Sequence, residues 1–422
     1  MRIAIIGGGL TGLTAAYYLN KKNYAVTVFE KENTVGGLAS GFKEARWDWC
    51  LDKTYHHIFS SDCDILNLSG EIGFNGFEFK KPETASLYSN NLIAQLDTPF
   101  DLLNFPLLSL PEKLRAGIII AFLKLSPHFS LYEQQTAEQF LKKTMGNRAW
   151  IVLWEELFRK KFGKYAENIL ASFIWARVKK RTKSLGYPKG GFQEFINNLV
   201  TYIENKGVTV KSRTPVDAIC PKGGGYELSI QNNTPGLFDV VISTIPTPFF
   251  LSITKNVGFP DSYIAGLKMR SYLHSISIII SSSEKLLDST YWLSICDKKI
   301  PLTVCVQHTN YIDKKHYGNK HIVYVGNYIE KTNPLWLMDN VSLRHNIEPY
   351  LKKINPSFSI ESFHVFRAPY SQPIFNNAFI RSGLTFETPL KGMYSANLDM
   401  TYPYDRGTNY AVLLGKQIST VI

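Results

Sequence analysis

Hydrophobic residues come in short unbroken runs at the start of the chain. Ile3-Ala4-Ile5-Ile6 is apolar without alternation, the pattern of a strand covered on both faces. A helix over 13–20 follows, then a second strand over 25–29 (AVTVF) that ends in Glu30. From about 104 to 176 the period turns helical: SLPEKLRAGIIIAFLKL, then TAEQFLKKTMG with Thr136 as cap and Glu138 in its first turn, then RAWIVLWEELFRKKFG. The apolar segment 100–123 is expected to form one or two buried helices, in preference to a membrane-docking surface. An amphipathic helix follows the turn at 186–192, and 208–210, 216–219 and 226–230 read as strands. FDVVISTIP, ending at Pro246, reads as a further buried strand. Between 271 and 364 the runs YLHSISIIIS, YWLSI, LTVCVQHT and HIVYVGNYI predict a mainly antiparallel sheet. A short strand over 392–397 and a final helix opening in the segment from Tyr402 close an α/β pattern.

A chain of 422 residues has room for several cores, and 45% hydrophobic with 19% charged residues argues against disorder. The longest interior apolar run, AGIIIAFL at 116–123, is far short of the roughly 20 residues needed to cross a bilayer. No leader is read ahead of the first strand. The five cysteines (Cys50, Cys63, Cys220, Cys296, Cys305) are dispersed and form no CxxC. These features imply reduced thiols, a cytoplasmic location and no metal site. The net charge of +12 is concentrated partly in RKKFGK (159–164) and RVKKRTK (177–183). Three readings stand for these runs: a solvated face, a site for an anionic or nucleotide-linked small molecule, or contact with an anionic membrane. Nucleic acid is not expected, since no binding module accompanies the charge.

Gly7, Gly9 and Gly12, with Leu10 and Thr11 between them, form G-x-G-x-x-G between the first strand and helix. Such a turn lets backbone N–H groups and a helix N-terminus face a pyrophosphate. Glu30 stands 18 positions after Gly12, where a carboxylate can accept from both hydroxyls of an adenosine ribose. It would repel the extra phosphate of NADP, which leaves NAD or FAD.

A second glycine pair, Gly36-Gly37, directly follows that acid in ENTVGGLAS. This resembles the extra fingerprint of glutathione-reductase-type flavoproteins, specifically the group of flavin amine oxidases, protoporphyrinogen oxidase, phytoene desaturases and UDP-galactopyranose mutase. Leu38 stands where the amine oxidases usually carry Arg. TYHHIFSS partly matches the mutase pattern that passes the flavin ring, so His56 or His57 can be a hydrogen-bonding or proton-relay group there, or merely structural. GYPKGGF (186–192), DVVISTIP (239–246), FRAPYSQP (366–373), GMYSAN (392–397) and YPYDRGTNYAV (402–412) resemble further elements of the group.

The resemblance implies FAD held by Gly7, Gly9, Leu10, Thr11, Gly12, Glu30, Lys31, Gly36, Gly37, Leu38 and Ala39 at one end of the chain. It extends the cofactor site to Val216, Thr244, Asn397, Asp405, Arg406, Gly407, Asn409 and Ala411. Attachment should be non-covalent, since no Cys lies near Asn397. His56, His57 and Arg367 are the catalytic candidates, Arg367 as an anion-binding side chain or a structural ion pair. The implied architecture is a glutathione-reductase-type FAD-binding Rossmann domain from segments 1–85, 185–250 and 386–422. A mainly helical insertion spans 86–184, and a β-sheet-rich substrate domain spans 251–385. The implied activity is hydride transfer from a small organic substrate to the flavin, reoxidised by oxygen or another acceptor. A mutase acting on a nucleotide-sugar without net redox change is the alternative, and a flavoprotein without turnover is the third reading.

Overall fold

The computed structural model describes residues 1–230 and 236–422. Five parallel strands form one sheet in the order Thr209–Lys211, Ala25–Phe29, Arg2–Ile6, Val240–Ser243 and Met393–Ser395. The central strand reads buried at Ile3 to Ile6 because it has a partner on each side and helices on its faces. Its first helix, Leu10–Asn20, starts three residues earlier than the pattern alone indicates. Gly12 therefore lies inside it, where a Cβ would fall 2.1 Å from the Gly7 carbonyl oxygen. The close helix–strand approach thus depends on that glycine.

Seven strands form a second sheet in the order Ser362–Pro373, Tyr272–Ser282, His321–Ile329, Val304–Gln307, Thr290–Ile295, Glu83–Leu87 and Ile93–Ala94. The expected antiparallel character holds except between Thr290–Ile295 and Glu83–Leu87, which run parallel. The boundary drawn at residue 85 therefore cuts a strand. Glu83–Leu87 completes the large sheet instead of ending the nucleotide unit, a pairing 200 residues distant that no local pattern carries. One face of the large sheet packs on the helix Asn340–Ile354, which the sequence reading did not anticipate. The other face contributes Ile279, Tyr291 and Tyr324 to the core shared with the parallel sheet.

Beside this shared core, a buried polar link also joins the two sheets. Asp399 accepts from Arg270 at 2.9 Å, Tyr272 at 2.8 Å and Thr247 at 2.6 Å. Tyr272 opens a strand of the large sheet, while Thr247 and Asp399 each follow a strand of the parallel sheet by four residues, so the carboxylate links the two sheets.

The helical layer has its own core around Phe105, Phe162 and Trp175. Thr136 caps Ala137–Met145 in a reciprocal box with Gln139. The segment 147–162 forms a continuous helical run interrupted by a π turn at Ile151–Glu155. The expectation of buried helices over 100–123 is overturned. In Leu110–Leu125 only Ala116 and Leu123 are buried, because the neighbouring helices cover just one narrow side. The strand expected from Phe238 breaks at Asp239, and the last helix begins at Thr408 after an irregular segment.

Candidate cofactor and substrate site

The two glycine motifs meet as backbones. Gly36 donates its N–H to the Gly8 carbonyl at 2.7 Å and has φ of 122°, a conformation that favours glycine. A Cβ on Gly37 would stand 3.2 Å from the Gly9 Cα. Glu30, 7% exposed, accepts from Gly8 N at 2.8 Å and Glu32 N at 2.9 Å. Each carboxylate oxygen keeps a further acceptor position. Thr244 anchors the turn by donating to the carbonyls of Ile6 at 3.1 Å and Gly7 at 3.0 Å. Leu10 and Thr11 are buried in the first helical turn, Ala39 is buried, and Leu38 is half-buried with its carbonyl accepting from Thr54 at 2.9 Å. Lys31 is exposed and pairs with Glu32 at 3.4 Å. Val216 opens a strand near Glu30, whose carbonyl accepts from Thr214 N at 2.8 Å.

The closing helix Thr408–Val421 packs directly on Leu10–Asn20. A Cβ on Gly415 would stand 2.5 Å from the Thr11 carbonyl oxygen, a contact that sequence reading did not single out. Gly407 precedes this helix, and its carbonyl accepts from Ala411 N at 3.1 Å. Two buried polar atoms at this helix start, Arg406 Nη1 and Thr408 Oγ1, have no hydrogen-bond partner among the described residues. Such atoms are costly unless a further group satisfies them. They and the open acceptor positions of Glu30 fit a dinucleotide lying between the two ends of the chain.

Asn397 and Asn409 serve the framework. Asn397 donates to the Ile245 carbonyl and Thr247 Oγ1 and accepts from Asp399 N. Asn409 accepts from Ile65 N at 3.0 Å and donates to Asp64 at 3.2 Å, which ties the closing helix to Cys63–Glu71. Both side chains expected at the cofactor therefore hold the surrounding framework.

Beside the helix start lies a dense polar cluster. Arg406 Nη2 donates to Tyr328 Oη at 2.6 Å, and Tyr328 Oη is 3.3 Å from Tyr55 Oη. Asp405 pairs with Lys161 and accepts from Arg406 N at 3.0 Å. Burial opposes ionisation of Asp405, yet Lys161, Arg406 and Arg177 outweigh it and lower its pKa. Tyr328 is likewise disfavoured as an anion by burial, but Arg406 and Lys161 bring its pKa below the ordinary phenol value. Burial and Arg181 lower the pKa of Arg177, with Asp405, Tyr328 and Tyr55 acting in the other direction. Three cations, Lys161, Arg177 and Arg406, therefore face one carboxylate. Lys161 and Arg177 lie in the basic runs visible in the sequence; nothing local marked Tyr328 on its strand.

His56 and His57 are both held neutral. Burial lowers His56 to about 3, with Arg406 adding to the effect, and lowers His57 to about 4, with Arg181 adding. His57 Nδ1 is 3.3 Å from Tyr291 Oη, and the ring packs edge-on against Trp292. The structure does not bring Arg367 to this cluster. It donates to the carbonyls of Trp336 and Met338, and it pairs across the sheet with Ile276 on the face that carries Asn340–Ile354. Tyr328 pairs with Ser275 and so faces the other way.

The sequence model for flavin containing amine oxidoreductases matches residues 10–327. The chain belongs to that family. Family membership implies a flavin cofactor, and the chain is similar to coproporphyrinogen III oxidase of Staphylococcus aureus, 26% identical over 302 residues. That match covers 59% of this chain and 61% of the relative, so it spans less than two thirds of the other protein. A 15-cis-phytoene desaturase from Synechococcus elongatus is 25% identical over 34% of this chain and 33% of its own. Among solved structures, reduced UDP-galactopyranose mutase superposes with a TM-score of 0.77 at 16% identity, over 99% of this chain and 94% of that one. Putrescine oxidase bound to putrescine superposes at 0.74 and 14%, over 100% and 99%. At such identities these structures share the fold with this family member. The mixed α/β architecture is that of FAD-dependent amine-oxidase-like proteins, and oxidoreduction is the chemistry of the family.

Proposed function

We propose that this chain binds FAD non-covalently and oxidises a small anionic organic molecule. In this reading the parallel sheet is a glutathione-reductase-type Rossmann domain, the large sheet forms one wall of the substrate pocket, and the enzyme works in the cytoplasm. The observation that carries it is the interlocked pair of glycine backbones with Glu30 beside them, together with a closing helix that packs on the first helix through Gly415 and whose start carries the unsatisfied polar atoms of Arg406 and Thr408. Glu30 would hold the ribose, the backbone at 7–9 and 36–37 the pyrophosphate, and the Thr408 helix start the electron-rich edge of the flavin. The bound flavin supplies a hydride acceptor that oxygen or another oxidant can regenerate.

The protein's own groups then orient and exclude. Lys161, Arg177 and Arg406 attract an acidic group that Asp405 alone does not neutralise. The Tyr55–Tyr328 hydroxyl pair supplies a hydrogen bond or a proton at one position. His56 and His57, neutral at pH 7, offer an acceptor nitrogen without adding charge.

Purified protein is expected to show the visible bands of oxidised flavin, and denaturation is expected to release intact FAD. Protein that cannot take up FAD overturns the reading; flavin retained on the denatured chain overturns its non-covalent part. Anaerobic bleaching by an acidic substrate supports oxidation. Arg177→Met should then raise KM at least about tenfold with a smaller effect on kcat. The mutase reading is favoured by the same cation cluster. Under it, a nucleotide-sugar binds tightly to the reduced protein and leaves with no change in flavin oxidation state.

A further inference from the structure

The helix Leu110–Leu125 (LPEKLRAGIIIAFLKL) is apolar on most of its circumference. A helix of that composition normally sinks into a core. Here Leu110, Leu114, Ile118, Phe122 and Leu125 are 59%, 53%, 67%, 55% and 79% exposed. Their spacing of four, four, four and three aligns them as one stripe along the helix. The preceding helix Pro99–Asn104 adds Phe100, 72% exposed, and is tied alongside by Lys113 Nζ donating to the Leu103 carbonyl at 2.8 Å. Large apolar side chains exposed together in this way mark an interaction surface.

The margin of the stripe is basic. Lys124 Nζ donates to the carbonyls of Lys179 at 3.0 Å and Arg181 at 2.8 Å, and Lys179 Nζ returns to the Lys124 carbonyl at 2.9 Å. The run RVKKRTK thus lies at the C-terminal end of the stripe. On another side, Arg115 donates to the Lys143 carbonyl at 2.7 Å. Residues 99–184 hold fifteen Lys and Arg against seven Asp and Glu; Lys160, Lys161 and Arg177 of these turn inward, and the other twelve still exceed the acids. Among the described residues no helix is long and apolar enough to cross a membrane.

We propose that this face docks on the surface of an anionic phospholipid bilayer. The stripe enters the headgroup boundary lying flat, and the surrounding lysines and arginines meet lipid phosphates. A second copy of the chain is a poorer occupant, because a symmetric contact would bring two basic margins together. The inference rests on the helical layer alone and stands apart from the flavin reading.

Vesicle flotation of the full chain tests it, with phosphatidylglycerol-containing vesicles against pure phosphatidylcholine at low and high salt. The expected result is flotation with the anionic vesicles, weakened at least about tenfold on phosphatidylcholine and reduced by salt. Ile118→Asp with Phe122→Asp should lower binding at least about tenfold while the thermal midpoint and flavin content stay unchanged. Leu114→Ser with Leu125→Ser repeats the test without added charge, and Lys179→Gln with Lys183→Gln should weaken only the anionic preference. Wild-type protein that stays in solution with every vesicle overturns the proposal. So does stripe variants floating like wild type, or a stripe-dependent dimer by sedimentation in place of vesicle binding.

Discussion

At the residue scale, Asp52 is the most displaced acid of the interior. It is 1% exposed and accepts from Tyr187 at 2.9 Å and Phe192 N at 3.1 Å. Burial nonetheless outweighs these bonds and raises its pKa to about 8. The folded protein therefore keeps a proton that the unfolded chain releases from about pH 4 upward. Stability falls as pH rises between those values, by up to ~1.4 kcal/mol per pH unit. Asp52→Asn has the shape of the protonated acid and should not share this loss. Urea midpoints at pH 5, 7 and 9 should converge in acid and favour the variant in base; parallel curves would refute the assignment. His56 and His57 act in the opposite direction. Their lowered values mean that stability drops as pH falls below about 6.5, when the unfolded chain takes up protons first.

At the scale of elements, the chain's two ends are held as a helix pair plus a tether. Asn409 in the closing helix accepts from Ile65 N at the start of Cys63–Glu71, and Gly415 lets it approach Thr11. Asn409→Ala should cost about 1 kcal/mol, the usual worth of a helix-start bond, with flavin retained. Gly415→Ala should do more, because its methyl would meet backbone at 2.5 Å and force the helices apart. Thermal melts with parallel flavin absorbance separate the two outcomes: loss of flavin is expected for Gly415→Ala and not for Asn409→Ala. This element also shows where sequence reading succeeds. Hydrophobic period and N-cap chemistry gave the helices around 110–125 and 137–145 closely. Which face of Leu110–Leu125 is covered depends on what packs beside it, and there the expectation of burial failed.

At the scale of the molecule, the ion pair between Arg270 and Asp399 is a buried polar link beside the core that the two sheets share. Their side chains are 5% and 2% exposed, and Asp399 also holds Tyr272 and Thr247. Asp399→Ala would leave a buried guanidinium without its carboxylate, held by Ser382 and the Gly383 carbonyl, and should cost about 3 kcal/mol. If the sheets form one cooperative unit, denaturant unfolding of the variant stays a single transition at a lower midpoint. Two separated transitions would show that the sheets are stabilised independently.

The glycine turn, Glu30 and the second glycine pair were legible in the sequence because their chemistry is local. Backbone freedom and a carboxylate at a strand end are written in a few adjacent residues. The same holds for the strand and helix periods of most elements. Tertiary structure decided what is assembled from distant segments. It moved Glu83–Leu87 into the large sheet, turned Arg367 to the far face, and gave Asn397 and Asn409 framework roles. It also brought Lys161, Arg177, Tyr328 and Arg406 together from four places in the chain. Sheet partners and side-chain neighbours are set by packing across hundreds of residues, which no short pattern encodes.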